Sequence, residues 1–338
     1  MTSIQLKPEA KRYIQNHGSY NPFTENEQGI QIERTPFLQR HIQLADIKSI
    51  ENTYFIAKDG TKIPIRIYTP HTDEAILPVI LYFHGGGWAI GDLDYMDGGC
   101  QYLAKHSQAI IVNVDYRLAP EHPYPIPQQD AYDALNWIYQ NPLQLPIDLK
   151  RLAVAGDSAG GNLAASIAVR AIEEQGPPIQ ALLLTYPALD ATATVANEDL
   201  QFAKQYGLDD DELDLYYRYY VQGNERLTHP YVSPALYEKK ALLPPTIIVS
   251  AAYDVLNHEG EKFIEELQQA GVQAERVILD GLIHSFFSKM DYFEQETEEA
   301  TIHLSNFFHS IIQDGLNFKH RKETETKLFS IEQIPYDF

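Results

Sequence analysis

Hydrophobic positions change period several times along the chain, and each change predicts an element. Across 50–69, Ile50, Tyr54 and Ile56, then Ile63, Ile65 and Ile67, alternate with polar neighbours on either side of Lys58-Asp59-Gly60-Thr61. Alternation around an Asp-Gly pair predicts a β-hairpin. Continuous apolar runs follow at Val79 to Phe83 and Ala109 to Val114, with further strand-like runs at Arg151 to Ala155, Ala181 to Leu184, Thr246 to Val249 and Ala274 to Leu279. Runs of this kind suit strands buried on both faces of a parallel sheet. Stretches with helical spacing separate most of them, near 96–106, 128–140, 159–174 and 259–270, and a last one covers 294–313. Strands alternating with helices predict an α/β fold with eight strands, mostly parallel, the first two forming an antiparallel edge.

Two regions break the alternation. Residues 1–46 have loose helical spacing (Tyr13, Ile14, Phe37, Leu38), interrupted at Asn21-Pro22 and Thr35-Pro36, and are expected to be mainly helical. From 188 to 240 no good strand occurs, only an acidic, tyrosine-rich helix over 209–220. A long insertion after a strand's C-terminal end lies where α/β sheets bind ligands. The expected organisation is a main domain over 47–187 and 241–315, a helical cap from 1–46 and 188–240, and a polar tail over 316–338. No internal repeat is visible.

Composition narrows the partners. With 44% hydrophobic residues in 338, the chain can bury a full core. A net charge of −21 leaves no basic face for nucleic acid, and it disfavours anionic lipid surfaces and anionic substrates. Cys100 is the only cysteine, so there is no intrachain disulfide and no thiolate-rich zinc site. The first residues carry no apolar signal core, and no apolar run approaches the roughly 18 residues of a membrane span. These features read as a cytoplasmic protein without a membrane span.

The chemistry centres on Gly156-Asp157-Ser158-Ala159-Gly160-Gly161-Asn162, between the run 151–155 and an Ala-rich helical stretch. A strand turning at once into a helix pushes Ser158 into a strained, exposed position and aims helix N–H groups at it. Taken alone, G-x-S-x-G is equally an ordinary glycine loop; it becomes a nucleophile elbow only with donors upstream and an acid and base downstream. Upstream, Val79–Phe83 runs into His84-Gly85-Gly86-Gly87-Trp88, where glycines let backbone N–H groups approach a developing oxyanion. The Ala159 N–H would add a further donor. Downstream, Asp254 ends one strand and His284 follows the last, giving the order Ser158, Asp254, His284. In that reading Asp254 orients the imidazole, His284 takes the Ser158 proton, and Ser158 becomes acylated. Asp280 is a rival acid but lies too near His284 in sequence. Asp157 should point away from the site, His84 should brace the glycine loop, and His258 and Glu259 should open the helix after the acid. No His/Asp/Glu group has metal-ligand spacing, so no metal is expected.

These motifs, with Asp115-Tyr116-Arg117-Leu118-Ala119-Pro120-Glu121-His122-Pro123 between them, resemble the hormone-sensitive-lipase-like branch of the α/β-hydrolases, bacterial carboxylesterases among them. The resemblance spans about 50–310 and implies an α/β-hydrolase sheet with a helical cap, cofactor-free carboxylester hydrolysis, and Gly86, Gly87 and Ala159 as oxyanion donors. It implies a structural role for 115–125, and by analogy a homodimer. Two departures stand out: Val255-Leu256-Asn257-His258-Glu259-Gly260 after the acid, and Ser285 where the family often has Gly. Trp88, Tyr186 and Leu208 are expected to line the substrate pocket, and small uncharged esters with short to medium acyl chains are the expected substrates. Amidase, lactonase or deacetylase chemistry would use the same machinery, and a catalytically silent binding protein could share the fold.

Overall fold

The computed structural model describes residues 6–17, 23–26, 29–32, 34, 44–141, 145–193, 208–223 and 226–331, with the backbone alone described at 23–26, 29–31, 210 and 314–331. Ten strands and seven α-helices are assigned in it. In chain order they are α1 (Pro8–His17), β1 (Phe23–Asn26), β2 (Gly29–Ile32), β3 (Ser49–Ile56), β4 (Lys62–Thr69), β5 (Leu77–Phe83) and α2 (Asp97–Ser107). Next come β6 (Ile110–Val114), α3 (Ile126–Gln140), β7 (Ile147–Asp157), α4 (Ala159–Glu173) and β8 (Ala181–Thr185). The chain closes with α5 (Asp210–Val221), β9 (Thr246–Tyr253), α6 (Asn257–Gln269), β10 (Ala274–Ile283) and α7 (Met290–Ile331).

Eight strands form one sheet in the order β10-β9-β8-β7-β5-β6-β4-β3. From β10 to β6 all neighbours are parallel, and β4 and β3 complete the sheet antiparallel. The apolar runs explain this arrangement. Every residue of β5 is buried, and its side chains are shared between two cores. Val79, Leu81 and Phe83 face one layer with Val154, Leu182 and Leu184. Ile80 and Tyr82 face the other with Ala153, Leu183 and Val249. Helices α3, α4 and α6 cover the first face, and α1, α2 and α7 the second. Strands this apolar on both sides are stable only between two helical layers. The expected hairpin closes at Gly60, where the Ala57 N–H donates to Thr61 O at 2.8 Å.

Two expectations change. Among the described residues of 1–46 only α1 is helical, and β1 and β2 form a separate hairpin with Phe23 opposite Ile32; the helical spacing read at Phe37 and Leu38 lies outside the described residues. Phe23-Thr24 and Ile30-Gln31-Ile32 carry the period-two alternation that helical spacing obscured. At the other end, α7 runs on to Ile331 instead of giving way to a tail near 316. That segment is rich in Lys, Glu and Leu, and Glu323 stands four residues before Lys327, a spacing that favours helix. The insertion 188–240 holds α5, as expected, and no strand among its described residues.

One joint fixes the centre of the sheet. Strands β5 and β7 pair up to Phe83 opposite Gly156, and α4 starts three residues later. The helix begins so close to the strand ends that a Cβ on Gly160 would stand 2.0 Å from the Phe83 carbonyl oxygen. Neither backbone can move without breaking sheet hydrogen bonds. Gly160→Ala is therefore expected to cost about 3 kcal/mol or more; urea unfolding checks this, and a loss under about 1 kcal/mol would contradict the account.

Candidate active site

Ser158 occupies the turn between β7 and α4 with φ 52° and ψ −119°. Positive φ in a residue with a Cβ is strained, and the surrounding bonds hold it. Its N–H donates to Thr185 O at 2.9 Å, and its carbonyl accepts from Asn162 N at 3.0 Å and Ala188 N at 3.2 Å. Asn162 Nδ2 donates to Ala188 O and Val232 O, both at 2.8 Å. The elbow is thereby tied to the insertion that follows β8.

Ser158 Oγ lies 3.0 Å from His284 Nε2, and His284 Nδ1 lies 2.7 Å from Asp254 Oδ2. All three side chains are nearly enclosed, at 8%, 6% and 3% exposure, so the hydrogen bonds act with little competition from water. Asp254 Oδ1 accepts the Leu256 N–H at 2.9 Å, which fixes the carboxylate's rotation. Asp280 is exposed and accepts from its neighbour's Gly281 N–H.

The glycine loop leaves β5 beside the elbow. Asp157 points away from the site: its Oδ1 accepts the Gly85 N–H and the Tyr82 hydroxyl, each at 2.9 Å. Burial pushes the Asp157 carboxyl up to about 6. His84 lies under the loop, stacked on Tyr116 at 4.4 Å, with Nδ1 2.8 Å from Gly85 O. Burial drops its imidazole to about 4, so it is neutral at physiological pH. Tyr116 also donates to His84 O at 2.7 Å, and Ala119 N donates to Trp88 O at 2.8 Å. The 115–125 run thus braces the loop from below. Among the described residues no backbone carbonyl accepts the N–H of Gly86, Gly87 or Ala159. Gly87 has φ 58°, and a Cβ there would stand 2.0 Å from the Tyr216 ring of α5.

A cavity of about 90 Å³ opens above Ser158, lined by Gly86, Gly87, Ala159 and His284 and roofed by α1 and α5 residues, Tyr13 and Tyr216 among them. Trp88 and Leu208 line it as expected. Tyr186 does not. Its ring is 2% exposed and packs 4.7 Å behind the His284 imidazole, while its hydroxyl accepts the Phe287 N–H at 3.1 Å. Following β8 directly, it is pulled into the core by its own N–H, bonded to Val249 O at 2.8 Å. Trp88 is stacked flat on Tyr220 at 4.3 Å.

Both departures from the family pattern have structural answers. Ser285 adopts the left-handed conformation, φ 65°, that Gly adopts without strain. Its carbonyl accepts from the Ser288 N–H at 3.2 Å and Ser288 Oγ at 3.0 Å, which offsets part of that strain. Asn257 opens α6, and its side-chain and backbone oxygens both accept from Arg276 on β10. Glu259, also in the first turn of α6, accepts the Asp190 N–H at 2.9 Å. Sequence spacing gave no sign of Tyr13, Tyr95, Glu212, Ser285 or Lys289 in the cavity wall. Among the described residues, no group of three or more His, Cys, Asp or Glu side chains is arranged to hold a metal ion. No helix among them is long and apolar enough to cross a membrane.

A family model described as the alpha/beta hydrolase fold matches residues 80–288. The chain belongs to the α/β-hydrolase family. This hydrolase is 43% identical to esterase LipI of Mycobacterium tuberculosis over 241 residues, 68% of the chain and 73% of that protein. It is 31% identical to ethyl acetate hydrolase of Pseudomonas putida over 258 residues, 75% of the chain and 80% of that protein. Among solved structures it superposes on the hyperthermophilic esterase from the archaeon Pyrobaculum calidifontis with a TM-score of 0.74. The two share 34% identity, covering 80% of this chain and 86% of that one. The resemblance to the hormone-sensitive-lipase-like carboxylesterases is borne out.

Glu259 gives the hydrolase a measurable pH signature. Burial raises its carboxyl from 4.5 to about 8. The folded state keeps a proton that the unfolded chain releases, so this contribution to stability is full below 4.5 and is lost as pH rises towards 8. Glu259→Gln cannot ionise; its stability relative to wild type should rise between about pH 5 and pH 8. Urea midpoints at several pH values test this, and a constant difference would contradict it.

Proposed function

We propose that this carboxylic ester hydrolase works through an acyl-enzyme on Ser158, with small esters of short to medium acyl chain as substrates. The observation that carries the reading is the line of hydrogen bonds from Asp254 through His284 to Ser158 Oγ, at 2.7 and 3.0 Å. His284 Nε2 takes the hydroxyl proton as Oγ attacks the ester carbonyl. The N–H groups of Gly86, Gly87 and Ala159 receive the oxyanion; each such donor contributes about 10²–10³ in rate. His284 then returns the proton to the departing alcohol, and a water molecule repeats the sequence to release the acid. Asp254 stays ionised and stabilises the imidazolium that forms in each half-reaction.

Residues 1–46 and 188–240 act as a cap over 47–187 and 241–315. Supporting this, Arg34 donates to Ala89 O and Ala119 O at 2.7 and 2.9 Å, and Tyr13, Leu208 and Tyr216 line the cavity. A cavity of about 90 Å³ accords with a short acyl group. The name of the Pseudomonas putida relative, ethyl acetate hydrolase, agrees with that size class. The net charge of −21 favours uncharged esters on approach.

Initial rates on p-nitrophenyl esters from acetate to palmitate, with wild type and Ser158→Ala, test the proposal. Short-chain turnover should dominate and fall by about 10⁴ or more in Ser158→Ala. Activity surviving the substitution, or palmitate exceeding acetate and butyrate, would overturn it.

A further inference from the structure

The cavity above Ser158 is lined by two kinds of side chain. Trp88, Ile90, Leu208 and Leu213 are apolar, whereas Lys289, Glu212, Tyr13 and Tyr95 carry polar heads. We propose that Lys289 makes this site select esters carrying a second, anionic oxygen group, as in half-esters of dicarboxylic acids or acetylated hydroxy acids. The proposal rests on the reading of Ser158 as the nucleophile of an ester hydrolase.

Lys289 follows the base by five residues and is held by the same loop. Its N–H donates to Phe286 O at 3.1 Å, and its carbonyl accepts from Tyr292 N and Phe293 N, both at 3.0 Å. The backbone that places His284 therefore also fixes the stem of Lys289. Its ammonium sits over the Tyr13 ring, 4.9 Å from the centroid, and no carboxylate of the described residues forms an ion pair with it. Burial opposes the charge, yet Tyr95, Tyr13 (which also hydrogen-bonds the ammonium) and, more weakly, Glu212 hold its pKa above the ordinary value.

Glu212 is the nearby acid that could cancel this charge. Burial, reinforced by Asp209, raises its carboxyl to about 8. At neutral pH it is mostly protonated and offers Lys289 little opposing charge, although the ammonium and the Tyr216 hydroxyl both favour its ionised form. The lining then carries an ammonium with no ion-paired carboxylate among the described residues, and the ligand group that matches it brings acceptor oxygens and negative charge.

The net charge of −21 argues against anionic substrates in general. That field is screened beyond about 8 Å at physiological ionic strength, whereas the Lys289 contact is not. Distant surface charge therefore acts mainly on encounter, and the pocket cation acts on the bound ester.

Two isosteric pairs test the proposal by pH-stat: monoethyl succinate against ethyl 4-methylpentanoate, and 3-acetoxypropanoate against 3-methylbutyl acetate. Each pair differs only in a carboxylate replaced by a branched alkyl end, in the acyl half for one and the alcohol half for the other. In Lys289→Met the anionic-to-neutral ratio of kcat/KM should fall about tenfold or more for at least one pair, and Lys289→Arg should retain most of it. An unchanged ratio in both pairs would overturn the proposal, even if overall activity fell, because a purely structural lysine lowers both members together. Failure of wild type to hydrolyse the neutral esters would instead sink the serine-esterase reading and this proposal with it.

Discussion

The Phe83 carbonyl and the backbone at Gly160 stand closer than any side chain would allow, with 2.0 Å left for a Cβ that glycine lacks. Strand β5, strand β7 and helix α4 meet at that point. The glycine loop departs from the end of β5, Ser158 from the end of β7, and the first N–H of α4 belongs to Ala159. The proposed attacking atom and oxyanion donors are therefore parts of one joint. Their separation is set by sheet hydrogen bonds and not by flexible side chains, and such preorganisation is where most electrostatic catalysis comes from.

Buried polar groups stiffen the joint. Asp157 turns from the site to hold Gly85 and Tyr82, and its burial raises the carboxyl to about 6. His84 is kept neutral beneath the loop, against Tyr116. Each of these groups is costly to bury and is accepted only because it is bonded to backbone or to another buried group. Farther out, Arg276 holds Asn257 and Glu259 holds Asp190, so the segment bearing Asp254 is fastened on both sides. Losing the commoner residues after the acid has thus not left its loop unsupported.

Wherever local pattern dictates structure, the sequence was legible. The two-sided apolar runs led to the sheet, and G-x-S-x-G between a strand and an Ala-rich stretch led to the elbow. Ser158, Asp254 and His284 were named from chain order, and the structure brings them within hydrogen-bond distance. The N-terminal hairpin was missed because four-residue strands carry too few alternations to outweigh the neighbouring helical spacing. Tyr186 was misplaced because position after a strand does not say which way a ring turns; its N–H bond to Val249 decides that. Lys289 and Glu212 lie 77 residues apart and meet only through the fold, so no spacing could have paired them.

Covalent trapping tests the central claim most directly. The protein would be mixed with p-nitrophenyl acetate, quenched within the first turnover, digested, and the acetylated peptide identified by mass spectrometry. The account predicts one acetyl group on the peptide containing Ser158, accompanied by a burst of p-nitrophenol equal to the enzyme concentration if deacylation is the slower step. Turnover with no acetyl group on that peptide, or with the label on another residue, would contradict it.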